Sequence, residues 1–278
     1  MPILQRELSA FAQHLEIEDR SPGTVGKYLH DASAFAAWLG SRELDQGAAA
    51  RWRDHLVRKG CAAATVNSML SALNRLLKFL GREDCKVKFL RVQRRAFREQ
   101  GRELTQAEYR KLLDAAAAEG QERLGLLMET ICATGIRVSE VRYITVEAAR
   151  LGRAEVSLKG KVRTILLPAK LCRKLEKYAR KNKTVSGEIF LTRNGHPLSR
   201  RQIWREMKAL CAKAGVEPSK VFPHNLRHLF ATVFYKACRD IVKLADVLGH
   251  SSINTTRIYL MTTGAEHAKQ LERLGLVT

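Results

Sequence analysis

The chain has 278 residues, with 49 Lys and Arg against 28 Asp and Glu, a formal charge of +21 and a pI near 10.1. A hydrophobic share of 45% supplies a core for one large or two moderate domains, and no apolar stretch is long enough to span or anchor in a bilayer. So large a cationic excess repels itself, and a polyanion is the usual partner that offsets it.

In chain order, the first 90 residues read as helices only. One is expected over residues 4–18. A second follows the start signal Ser21-Pro22, with Val25, Tyr28, Leu29, Ala32, Phe35, Ala36 and Leu39 at helical spacing and Gly40 as its stop. A third is expected over 47–59. A fourth carries Val66, Met69, Leu70, Leu73, Leu76, Leu77 and Leu80 and ends at Gly81. Four short helices make a small bundle, domain 1–90. Residues 91–103, with Arg91, Arg94, Arg95, Arg98 and Arg102, read as a basic linker lying near a phosphate backbone.

A second domain, 104–278, opens on Thr105-Gln106-Ala107-Glu108, a capping box. Helices are expected to about residues 119 and 134, and Gly135 turns the chain into a helix carrying Arg137. Residues 154–167 alternate as a β-hairpin with its turn at Gly160, ended by Pro168. Helices follow at about 169–181, 200–214, 226–238, 241–248, 255–260 and 265–274, with one more short strand at Ile189-Phe190-Leu191. The fold class is mainly α with a small hairpin.

The six cysteines, Cys61, Cys85, Cys132, Cys172, Cys211 and Cys238, lack zinc-ligand spacing and read as buried, reduced thiols of a cytoplasmic protein. The N-terminus is not a signal peptide. Neither a Walker-type loop nor an acidic cluster at metal spacing occurs, so no cofactor or metal is expected.

Five side chains in the second half carry the chemistry: Arg137, His224, Arg227, His250 and Tyr259. Guanidinium groups fork onto phosphate oxygens and stay charged. Histidine passes protons near neutral pH. A tyrosine hydroxyl attacks phosphorus and holds a broken strand covalently, although a phenol in water titrates near about 10 and needs a base. Glu140 reads as the orienting partner of Arg137. His228 reads as structural.

This order and spacing, with the words ATGIRVSE, HNLRH, LGHSS and TTRIY, resembles the tyrosine recombinase (phage integrase) family. The resemblance covers the C-terminal domain in full, and the N-terminal part by helical layout and length. It implies a SAM-like core-binding bundle closing over DNA and a catalytic domain using Arg137, a hairpin lysine, His224, Arg227, His250 and the nucleophile Tyr259. The family word for the lysine is Lys-Gly-x-Lys-x-Arg. Here the hairpin, Lys159-Gly160-Lys161 followed by Arg163, is one residue shorter, so Lys159 is favoured and Lys161 is the runner-up.

The implied reaction cuts double-stranded DNA through a 3′-phosphotyrosyl link without metal or ATP. It serves integration, excision or dimer resolution in a homotetramer, or a hetero-tetramer with a related recombinase. A chain starting at the bundle points to an Xer-like or transposon-type enzyme. A type IB topoisomerase-like enzyme and a catalytically silent DNA-binding protein are the alternatives. The tail after Tyr259, with Ala268, Leu271, Leu274 and Leu276, either docks on a neighbouring subunit or packs on its own domain.

Overall fold

The computed structural model describes residues 5–92, 101–158, 161–259 and 272–274, and the chain divides into two units, Met1–Arg94 and Arg95–Thr278. Among its described residues the first holds four α-helices: α1 (Gln5–Ile17), α2 (Pro22–Leu39), α3 (Ala48–Arg58) and α4 (Ala63–Phe79). Pro22 sits where the missing amide costs nothing, and Gly40 leaves the helix at φ +59°. The stripes point inward as their spacing requires. Leu76 packs with Phe11, Leu15, Val25 and Ala32, while Leu70, Leu73 and Leu77 pack with Phe35, Leu39, Trp52 and Leu56, so α4 is the axis of the bundle.

A strap follows the 3-10 turn Glu83–Cys85. The Asn74 side-chain amide donates to the Val87 carbonyl at 2.9 Å and accepts from its N–H at 3.1 Å. Asn67 does the same with Leu90 at 2.9 and 2.8 Å. The strap thus runs antiparallel to α4. The spacing fits, since seven helical residues and three extended ones both advance about 10 Å.

In the second unit, Thr105 caps α5 (Gln106–Ala118). The Glu108 N–H donates to its hydroxyl at 3.1 Å, and the Thr105 N–H donates back to the Glu108 carboxylate at 2.8 Å. Then come α6 (Glu122–Thr134), a 3-10 turn (Val138–Tyr143), α7 (Val146–Leu151), β1 (Arg153–Leu158), β2 (Lys161–Leu166), α8 (Ala169–Lys181), α9 (Arg200–Ala214), α10 (Pro223–Cys238), α11 (Ile241–Leu248) and α12 (Ile253–Arg257). The strands pair antiparallel from Arg153↔Leu166 to Leu158↔Lys161. Ala154, Val156 and Ile165 face the core, while Val162 and Leu166 face solvent. Helix α6 packs on α5, α8 and α10.

Several local expectations change. The segment after Arg137 is a tight 3-10 turn, not an α-helix. The stretch Ile189–Leu191 forms no strand among the described residues. Isolated bridges Thr145↔Glu188 and Leu191↔Pro197 tie it in instead, because the turn at Gly195 returns the chain too soon for a ladder. The helix expected at 255–260 starts earlier, capped by Ser252, and is five residues long. Cys85, Cys172 and Cys211 are buried, but Cys61 and Cys132 are half-buried and Cys238 is exposed at the end of α10. Of the helix expected at 265–274, only 272–274 fall within the described residues. Lys159 and most of the basic linker lie outside them.

Candidate active site

The site is built around Arg227. One helical turn after His224, it points inward from α10 and is 2% exposed. A guanidinium so deep must spend its donors. Nη1 donates to the Gly135 carbonyl at 2.6 Å, and Nη2 donates to the Leu248 carbonyl at 2.9 Å and lies 2.8 Å from His250 Nε2. A hydrogen bond to the Tyr259 side chain completes the set. Burial lowers the Arg227 pKa, yet a guanidinium starts high enough to remain charged.

Gly135 makes this possible. It ends α6 at φ +65°, turning its carbonyl toward Arg227, and a Cβ there would lie 2.4 Å from the Phe230 ring. Two residues on, Arg137 is extended at the head of the 3-10 turn. Its Nη1 donates to Glu140 Oε1 at 2.9 Å and its backbone N–H to Oε2 at 2.8 Å. Glu140 therefore fixes both the backbone and the fork of Arg137, as its spacing suggested.

His250 follows Gly249, which closes α11 at φ +63°. Its Nδ1 lies 2.9 Å from the hydroxyl of Thr256, a fully buried residue of α12. Arg227 only donates, so His250 Nε2 accepts and the ring proton sits on Nδ1, directed at Thr256. Desolvation, then Arg227, Arg137 and Arg163, press the His250 pKa down to about 4, in keeping with a neutral ring.

Tyr259 is 3% exposed. Its ring stacks on His250 at 5.8 Å with 9° between planes, and meets His228 edge-on at 5.0 Å and His224 at 6.0 Å. His224 occupies the first turn of α10 at the rim of the cleft. Desolvation, then Arg227 and Arg137, push its pKa below the usual imidazole value. His228 lies 3.7 Å from Glu103.

The structure thus brings Arg137, His224, Arg227, His250 and Tyr259 together. Of the hairpin lysines, Lys161 opens β2 in the backbone. A cleft of about 200 Å³ is lined by Arg137, Arg200, His224 and Arg227, and a neighbouring one of about 660 Å³ by Arg137, Arg163, Arg200 and His250. Arginines line both, a cationic surround that favours an anion. Sequence reasoning missed Arg200, Arg163 and Thr256 as members of the site. Only the helix start at Ser199-Arg200 and the three-residue offset of Thr256 from Tyr259 carried a local signal. Among the described residues no group of three or more His, Cys, Asp or Glu could hold a metal, and no helix is long and apolar enough to cross a membrane.

Known proteins share this sequence pattern and fold. Residues 102–266 match the profile of the "Phage integrase family" and residues 8–84 that of the "Phage integrase, N-terminal SAM-like domain". Tyrosine recombinase XerA of Pyrococcus furiosus is 31% identical over 97% of this chain and 94% of its own length. Tyrosine recombinase XerD of Brucella melitensis biotype 1 is 30% identical over 85% of each. In fold, a lambda integrase dimer bound to a COC′ core site matches with TM-score 0.74 at 18% identity, over 94% of this chain and 96% of that one. The XerH site-specific recombinase bound to its difH substrate matches with TM-score 0.69 at 19% identity, over 96% and 88%. With the SAM-like match at residues 8–84 followed in sequence by the integrase match at 102–266, and the arginines, histidines and tyrosine gathered within the second unit, this chain belongs to the phage integrase family of tyrosine recombinases.

Proposed function

We propose that the protein is a site-specific DNA recombinase acting on double-stranded DNA without a metal. The observation that carries this is the Tyr259 hydroxyl held against Arg227, with His224 and His250 beside its ring and Arg137 across the cleft. Arg137 and Arg227 grip the non-bridging oxygens of the scissile phosphate and offset the charge of the pentacoordinate transition state. His224, kept neutral by its surroundings, takes the Tyr259 proton. The Tyr259 oxygen bonds phosphorus, and the bond to the 5′ oxygen breaks. Lys159, with Lys161 as the alternative, protonates that oxygen. A 5′-hydroxyl from a partner duplex then attacks the 3′-phosphotyrosyl link, and bond energy is conserved without ATP.

Domain 1–90 closes on DNA as a clamp, 91–103 is a basic tether and 104–278 is catalytic. Two duplexes exchanging strands require four sites, so the working form is a tetramer on DNA, of this chain alone or with a related recombinase, in the cytoplasm where the DNA lies.

The test is a nicked suicide duplex carrying a site selected from random DNA by the full-length protein. Wild type forms a covalent complex that survives denaturing gels. Tyr259→Phe forms none and keeps its DNA affinity, since only a hydroxyl is lost. Undiminished trapping by Tyr259→Phe overturns the assignment. Joining of two marked sites separates a recombinase from a topoisomerase-like enzyme that reseals its own strand.

A further inference from the structure

Glu140 is 1% exposed, and it is shared. Besides Arg137, its Oε2 accepts from Arg163 Nη2 at 2.6 Å. A carboxylate so enclosed depends on every cation facing it. Arg163, on β2, is itself largely enclosed, with 17% of its side chain exposed. Its other arm, Nη1, donates to the Val247 carbonyl at 3.2 Å. Gly249 lies so close that a Cβ there would fall 2.5 Å from Arg163 Cδ and 2.6 Å from Nη1. From one strand, Arg163 thus holds the carboxylate that orients Arg137 and the turn that presents His250. It also lines the larger cleft with both. The reaction described above gives it no part.

We propose that Arg163 is a positioning residue for cleavage: through Glu140 it sets the direction of the Arg137 fork, and through Val247 and Gly249 it sets the turn bearing His250. The inference rests on the assignment of Arg137 as a phosphate clamp. Arg163 can do this because its planar fork spans two acceptors at once. A lysine reaches Glu140 or Val247, not both.

The test compares Arg163→Lys and Arg163→Gln with wild type on the selected suicide duplex. The scissile group is either phosphate or a methylphosphonate, in which a methyl replaces one charged oxygen. On phosphate both variants bind DNA normally and cleave about 100-fold slower, the scale of a small misplacement of a reacting group. On methylphosphonate, where less charge needs clamping, the gap to wild type narrows. A merely structural loss slows both substrates alike, and that result, or no loss at all, overturns the proposal.

A second arm needs no catalysis. In full-length protein labelled with ¹⁵N-arginine, the Arg137 side-chain N–H signal, assigned by its absence in Arg137→Lys, shifts or broadens in both Arg163 variants. An unchanged Arg137 signal overturns the proposal. If wild type cleaves no DNA, the recombinase reading falls, while this arm still decides whether Arg163 holds Arg137.

Discussion

Arg227 donates from Nη2 to His250 Nε2 across 2.8 Å, and this fixes the histidine as a neutral acceptor. The pair joins α10 to the turn after α11. It also decides which ring nitrogen carries the proton, because Arg227 has no lone pair to offer. The Tyr259 ring stacks on the histidine so held.

Acid should therefore loosen the fold through His250. Its folded pKa, about 4, lies below its ordinary value of 6.5. Between those values the unfolded chain binds the proton and the folded chain resists it, so stability is full above 6.5 and declines as pH falls toward 4. Thermal unfolding across this window should show His250→Gln losing less stability than wild type. Equal losses would remove His250 as the cause.

Strand cleavage should persist in EDTA, because Arg137 and Arg227 supply the charge a metal would otherwise bring. Loss of cleavage in chelator, restored by Mg²⁺, contradicts this. Arg137→Lys should cleave about 100-fold slower with DNA binding retained, since a point charge cannot hold Glu140 and phosphate in one plane. A near-normal rate would mean that charge alone suffices.

Gly135→Ala should cost about 2 kcal/mol or more in denaturant unfolding, from a left-handed backbone and a methyl driven into Phe230. Adding Phe230→Leu should recover part of that loss, the steric share. No recovery would place the whole penalty in the backbone.

DNA binding by the full chain should fall steeply with salt, each phosphate contact adding about −0.9 to the log–log slope. Residues 101–278 alone should bind more weakly and with a shallower slope. Equal slopes and affinities would show that the N-terminal bundle does not touch DNA.

How far the sequence reached differs by feature. The stripes of α2 and α4 were legible because burial of one helical face repeats every three or four residues. The Thr105 cap was legible because it is local. Glu140 was assigned to Arg137 because three residues separate them. Arg163 and Thr256 were not placed in the site, because what they touch lies 84 residues away at Val247, or on a histidine whose tautomer depends on a third residue. The stretch 189–191 read as a strand because apolar runs look alike whether they pair or merely pack.

The asparagine strap bears on how far the cooperative fold of the first unit extends along the chain. Because Asn67 and Asn74 each exchange two hydrogen bonds with Leu90 and Val87, the chain past Cys85 is held to α4 at two points three residues apart. Removing either asparagine side chain would leave a backbone N–H and C=O of the strap to water, so the segment from Lys86 to Leu90 would open at lower cost than the helix it lies on.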